Sequence, residues 1–85
     1  MPKEHDYKFL ANLGARLATQ REKLGLSQAE IAKRSRVSTQ QISKYELGLS
    51  DPSLSAMLRL CRALHMNPAC LLVSLSVAAD CGEKK

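Results

Sequence analysis

Apolar residues recur at helical spacing in blocks along the chain, and polar capping signals separate the blocks. Leu10, Leu13, Leu17 and Leu24 mark one face of a first helix over residues 8–24, with Arg16, Arg21, Glu22 and Lys23 between them. Gly25 is its expected stop, because glycine adopts the left-handed conformation that commonly closes a helix. Ser27-Gln28-Ala29-Glu30 has the form of a capping box, in which the Ser27 hydroxyl accepts from the Glu30 amide and the Glu30 carboxylate reaches back to the Ser27 amide. It predicts a short second helix over residues 28–35, with Ile31 and the small Ala32 facing inward. A second box, Ser38-Thr39-Gln40-Gln41, follows eleven residues on, with glutamine in the place of glutamate. Two helix starts this close leave room only for a tight turn at residues 35–37, so residues 27–48 read as helix-turn-helix.

The third helix covers residues 39–47 and stops at Gly48. At about 100° per residue, Thr39, Gln40, Ser43, Lys44 and Leu47 fall on one arc, while Gln41, Ile42 and Tyr45 occupy the opposite one. The outward arc is almost entirely hydrogen-bonding groups, and Ile42 and Tyr45 anchor the inner face. After Pro52, Ser53 caps a fourth helix over residues 54–64 with an inner stripe of Leu54, Met57, Leu58, Cys61 and Leu64. Asn67-Pro68 supplies an N-cap followed by proline at the first helical position, starting a fifth helix at about residue 69. Leu71, Leu72 and Leu75 form its apolar side. Val73, Leu75 and Val77 also alternate with serines as a strand would, and a helix to about residue 78 is the favoured reading.

These elements predict an all-α, five-helix domain over residues 8–79. Residues 1–7 form a polar, flexible arm carrying Pro2, and residues 80–85 form a polar tail with Cys81 exposed. At 85 residues the chain holds one modest core. Its apolar share of 45%, with Tyr7, Phe9 and Tyr45 as the aromatics, favours aliphatic helix packing over a β-sandwich.

Charge narrows the partner. Thirteen lysines and arginines against eight acids give a net charge of +5, which suits a polyanion. Glutamine pairs bidentate with adenine in the major groove and lysine reaches guanine O6 and N7, so the arc of the third helix carries groups able to read bases. Cys61, Cys70 and Cys81 cannot all pair and match no zinc spacing, while His5 is isolated and His65 sits at a helix end, where it complements the dipole. No metal or other cofactor is expected, and no cluster has the spacing of a catalytic site, so an enzyme is not expected. Neither a signal layout nor a run of about 20 apolar residues is present, so a cytoplasmic protein is expected and no membrane association.

The blocks LGARLATQREKLGLSQAEIAKRS, VSTQQISKYELG and PSLSAMLRLCRALHMNPACLL, within residues 13–72, resemble the lambda-repressor-like helix-turn-helix domains of the phage repressor and Cro (XRE) family in order and spacing. The resemblance implies that the third helix is the recognition helix, with Thr39, Gln40, Ser43 and Lys44 as base contacts. It implies that Gln28, with the amides at the start of the second helix, holds a DNA phosphate. Ser27, Arg36, Ser38 and Gln41 are further candidates for backbone contacts. It also matches Arg21 and Glu46 to a structural pair that bridges the first helix to the end of the third.

The family pattern is broken in three places. Arg36 stands where a glycine is usual, at a turn position expected to need positive φ, with its guanidinium expected to face the backbone in compensation. Leu47 and Leu49 flank Gly48 where polar or basic residues are usual. Ser35 replaces an apolar residue. Cys61 takes an alanine position and is expected to be a buried small hydrophobe.

The apolar run after residue 70 exceeds what the core needs, so Leu71, Leu72, Leu75 and Val77 are the expected contacts of a homodimer. The function expected is a sequence-specific transcriptional regulator of double-stranded DNA, a repressor or autoregulatory controller on a pseudo-palindromic operator. The alternative is an antitoxin-type protein whose main role is to bind a protein partner.

Overall fold

The structure is a computed structural model that describes residues 4–69 and 71. Four helices follow one another in the described residues: α1 (Glu4–Lys23), α2 (Gln28–Ser35), α3 (Thr39–Glu46) and α4 (Leu54–Ala63). The all-α class is as the periodicity predicts. No described helix is long and apolar enough to cross a membrane.

The first helix begins at Glu4, four residues before the expected start, so residues 4–7 are helical rather than part of an arm. Apolar spacing marks where a helix buries a face and is silent about where its backbone begins. Helical backbone resumes at residues 68, 69 and 71, where the Asn67 side chain caps the amide of Ala69 at 2.9 Å. The rest of the expected fifth helix, the helix-or-strand question over residues 73–79 and the tail at residues 80–85 lie outside the described residues.

Local hydrogen bonds close the starts of α2, α3 and α4 and the ends of all four helices. Ser27, Ser38 and Ser53 each accept a backbone amide three residues on. Ser27 and Glu30 complete their box, and the bond from the Ser27 amide holds the Glu30 carboxyl below its ordinary pKa. The second box forms only in half: Gln41 turns its side-chain amide to the Tyr45 hydroxyl at 3.3 Å instead of back to Ser38. At the C-terminal ends, paired bonds of the Schellman type close α1, α3 and α4, with Gly25, Gly48 and His65 in the left-handed position. His65 (φ 57°) thus terminates α4 through its backbone.

Leu13, Leu17, Ile31, Val37, Ile42 and Tyr45 meet Met57, Leu60, Cys61, Leu64 and Leu71 in one core. Cys61 is fully buried and its thiol pKa is raised by that burial, so it stays a neutral hydrophobe. The inner stripe of α4 is rotated from the expected one. Ala56 and Leu60 are inside, whereas Leu54 and Leu58 are 70% and 44% exposed. On a helical wheel the buried set centres on Leu60 and Leu64, and Leu54 and Leu58 lie about 100° and 140° from that centre, on the outer side. Leu24 lies beyond the end of α1 and is exposed as well.

Two glycines let α1 approach α3 at backbone distance. A Cβ on Gly14 would fall on the carbonyl oxygen of Tyr45 and 2.6 Å from that of Glu46. A Cβ on Gly48 would lie 2.9 Å from the Ala11 Cα, and its φ of +74° is also unfavourable for an L residue. The same crossing carries the expected Arg21–Glu46 pair. Arg21 Nε and Nη2 donate to the two Glu46 oxygens at 2.7 and 3.1 Å, and Nη1 donates to the Leu26 carbonyl at 2.8 Å. The side chains retain only 15% and 9% exposure. The Arg21 pKa is raised, chiefly by the hydrogen bond to Glu46 and partly against its own desolvation.

Gly14→Ala should destabilise the domain by about 2 kcal/mol, because overpacking against rigid backbone outweighs the gain of about 1 kcal/mol in helix propensity. An unchanged or higher urea midpoint would contradict the close approach. Glu46→Ala should lower stability by about 3 kcal/mol, more than the double replacement Arg21→Met, Glu46→Leu, because it strands a largely buried cation. Equal midpoints for the two variants would show that the pair is not effectively desolvated.

Candidate nucleic-acid interface

The helix-turn-helix forms around a turn with two unusual residues. Arg36 has φ 62° and ψ 27°, the left-handed conformation expected at the glycine position, at a strain of about 1 kcal/mol for a non-glycine residue. Its guanidinium does not turn back to the main chain. Instead Arg59, reaching across from α4, donates Nε to the Ser35 carbonyl at 3.1 Å.

Ser35 is 2% exposed, and the core tolerates its hydroxyl because the group is satisfied twice. It donates to the Ile31 carbonyl at 2.7 Å and accepts from the Val37 amide at 3.2 Å. The polar residue at an apolar position therefore fastens the turn from within.

The turn delivers α3 with Ile42 and Tyr45 buried and Thr39, Gln40 and Lys44 exposed. Ser43 is half-buried between them. These four outward residues, with Gln28 from the start of α2, line one open depression of about 590 Å³. All four candidate base contacts and the principal candidate phosphate contact are brought together.

Gln28 is held in place. Its Nε2 donates to Glu46 Oε1 at 2.9 Å, which leaves the second N–H of that amide for an anion. Arg21, Glu46 and Gln28 thus join α1, α3 and α2 in one hydrogen-bonded group behind the arc. Ser27 and Ser38 use an acceptor lone pair in capping and keep their O–H groups to donate. Gln41 is separated from the arc, since its side chain bonds Tyr45 on the inner side.

One expectation changes at the margin. Leu71, expected at a dimer contact, is 1% exposed within the single chain and belongs to its core. The other three, Leu72, Leu75 and Val77, lie outside the described residues. Leu47 and Leu49, at 66% and 71% exposure, make the exit from α3 apolar and uncharged, as the departure from the family pattern suggests.

Sequence reasoning missed Gly14, Arg59 and Arg62. A lone glycine between two core leucines signals a close backbone approach. The two arginines are spaced i, i+3 on the outer side of α4, and only the fold reveals that this side adjoins the turn. Among the described residues, no group of three or more histidines, cysteines or acids could hold a metal ion.

The fold is shared with known proteins. The restriction-modification controller protein C.AhdI from Aeromonas hydrophila is 34% identical with a TM-score of 0.70, over 73% of this chain and 94% of that one. The clp gene regulator ClgR from C. glutamicum is 30% identical with a TM-score of 0.72, over 84% of this chain and 92% of that one. Another structure of ClgR, from Corynebacterium glutamicum, gives 28% identity and a TM-score of 0.74, over 87% of this chain and 79% of that one. No curated protein matches the chain by sequence. A family model described as a helix-turn-helix domain matches residues 12–72, from the crossing of α1 over α3 to the end of the described core. The chain belongs to the helix-turn-helix family of DNA-binding domains, of the phage repressor and Cro type that its sequence resembles.

Proposed function

We propose that this DNA-binding regulator reads a specific, pseudo-palindromic operator as a homodimer, with α3 of each subunit in the major groove. The observation that carries the reading is the arc of Thr39, Gln40, Ser43 and Lys44, which fronts one depression together with Gln28. Gln40 is suited to adenine and Lys44 to guanine, while the hydroxyls of Thr39 and Ser43 can serve either. Gln28 holds a phosphate with its remaining N–H beside the Ser27 hydroxyl at the start of α2, while Ser38 and Arg36, at the other end of that helix, contact the DNA backbone separately. The protein works by binding and not as an enzyme, without a cofactor, in the cytoplasm. That C.AhdI is named a controller protein and ClgR a gene regulator supports control of transcription as the outcome.

A two-fold dimer places two recognition helices about 34 Å apart on one face of DNA, which multiplies the few base contacts that one subunit can make. With Leu71 committed to its own core, the second copy covers the segment beyond it, including Leu72, Leu75 and Val77. The exposed Leu54 and Leu58, one turn apart on α4, are apolar surface available to the same contact.

Gln40→Ala or Lys44→Ala should weaken binding to an operator selected from random DNA by about 1 to 3 kcal/mol, and binding to random duplex much less. Equal losses on both would remove base reading from α3. Sedimentation should give a dimer for the native chain and a monomer for Leu72→Asp, Leu75→Asp. A dimer that survives this change would place the interface elsewhere.

A further inference from the structure

Four of the chain's six arginines border a second depression, of about 400 Å³, that shares no residue with the reading arc. Arg34 and Arg36 come from the C-terminal end of α2, and Arg59 and Arg62 from α4, with Ser35 and Ala63 completing the lining. All four are exposed and no acid borders them. The acid whose charge Arg34 feels is Glu30, one turn earlier on α2 and outside the depression. Arg34, Arg36 and Arg62 have no ion pair or hydrogen bond among the described residues. Arg59 is exposed and pinned through Nε to the Ser35 carbonyl, which leaves both of its terminal amino groups as donors for a ligand.

Two features argue that this concentration of charge faces a ligand. Like charges gathered without counter-charge repel, and an anion bound among them relieves that repulsion. Arg36, in addition, occupies a left-handed conformation that glycine would adopt without strain, and strained positions mark functional sites. All four cations are arginines, whose planar fork suits an oxyanion better than the ammonium of lysine does.

We propose that this arginine cluster is a second anchor for the phosphate backbone of the DNA that α3 reads, a proposal that rests on the DNA-binding reading above. Arg36 lies three residues before Thr39, the first residue of α3, so its Cα is within about 11 Å of the end of the helix that enters the groove. The Gln28 site sits at the opposite end of α2, about 12 Å away along an eight-residue helix. A strand carries one phosphate per about 3.4 Å of duplex axis, so the arginines meet different phosphates from Gln28. Their position beside the start of α3 extends the protein's footprint past the bases that α3 reads. Such contacts add affinity on any sequence and do not discriminate between sequences.

The test uses the full chain on random-sequence duplex, with affinity measured between about 50 and 200 mM salt. Arg34→Gln, Arg36→Gly, Arg62→Gln should flatten the slope of log K against log salt by about 0.9 for each phosphate no longer neutralised, nearly three in all. Arg36→Gly alone should flatten it by about 0.9 while raising the melting temperature, since it removes the strain with the charge. Stability and binding moving in opposite directions separates the effect from misfolding. An unchanged slope in the triple variant overturns the proposal. If that variant also loses retention on immobilised polyglutamate, the cluster serves an acidic protein partner instead. A native chain that binds no duplex defeats the DNA-binding reading itself, whereas a bound duplex with an unchanged slope defeats only the arginine anchor.

Discussion

The bidentate pair between Arg21 and Glu46 is the interaction on which the reading surface depends. With Gln28 it draws on three helices: Arg21 from α1, Glu46 from the last residue of α3, and Gln28 from the first residue of α2. Every donor of the arrangement has a geometric duty. Two Arg21 nitrogens fix the carboxylate, the third holds the Leu26 carbonyl that leads into α2, and Gln28 is aimed by the remaining lone pair of Glu46. A largely buried pair adds little net stability relative to an apolar replacement, because desolvation offsets most of the attraction. Its contribution is positional: α3 cannot rotate about its axis without breaking two short charge-assisted bonds.

Such a pair can form only if α1 lies against the end of α3, and Gly14 and Gly48 make that possible. Both leave room for backbone on backbone where any side chain would push the helices apart. On the other side of α3, Ser35 and Arg59 do for the turn what Arg21 does for the helix end. The Ser35 hydroxyl links Ile31 to Val37, and the Arg59 guanidinium ties α4 to the Ser35 carbonyl. The third helix is thus held at both ends by hydrogen bonds from α1 and α4.

Much of this was legible in the sequence because it is local. Serine caps, the Ser27–Glu30 box and the helix-closing glycines are encoded within a few residues, and the structure places them as expected. The arc of α3 was legible because periodicity fixes which side chains share a face. What the sequence concealed depends on how helices cross. The inner stripe of α4 could not be picked out by its leucines, since Leu54 and Leu58 are as apolar as Leu60 and only the way the helix docks excludes them. Gln41 looked like a box residue until Tyr45 came within reach of its amide. The Arg59–Ser35 bond joins residues 24 positions apart, and nothing in the spacing of either predicts the other.

The distribution of charge divides the labour of binding. Among the candidate base contacts Lys44 is the one cation, and the exit from α3 presents Leu47 and Leu49 where positive groups would meet phosphate. A reading face of hydroxyls and amides can discriminate between bases, but it offers little of the counterion release that draws a protein to DNA. The net charge of +5 must therefore act from elsewhere on the surface. The arginines stand beside the turn that leads into α3, and Arg59 is tied to that turn at the Ser35 carbonyl, so an anion held there would lie next to the start of α3. On the proposed division, discrimination rests on the mostly neutral arc with Lys44 and attraction on the neighbouring cluster, so replacing a residue in one group would leave the other function largely intact.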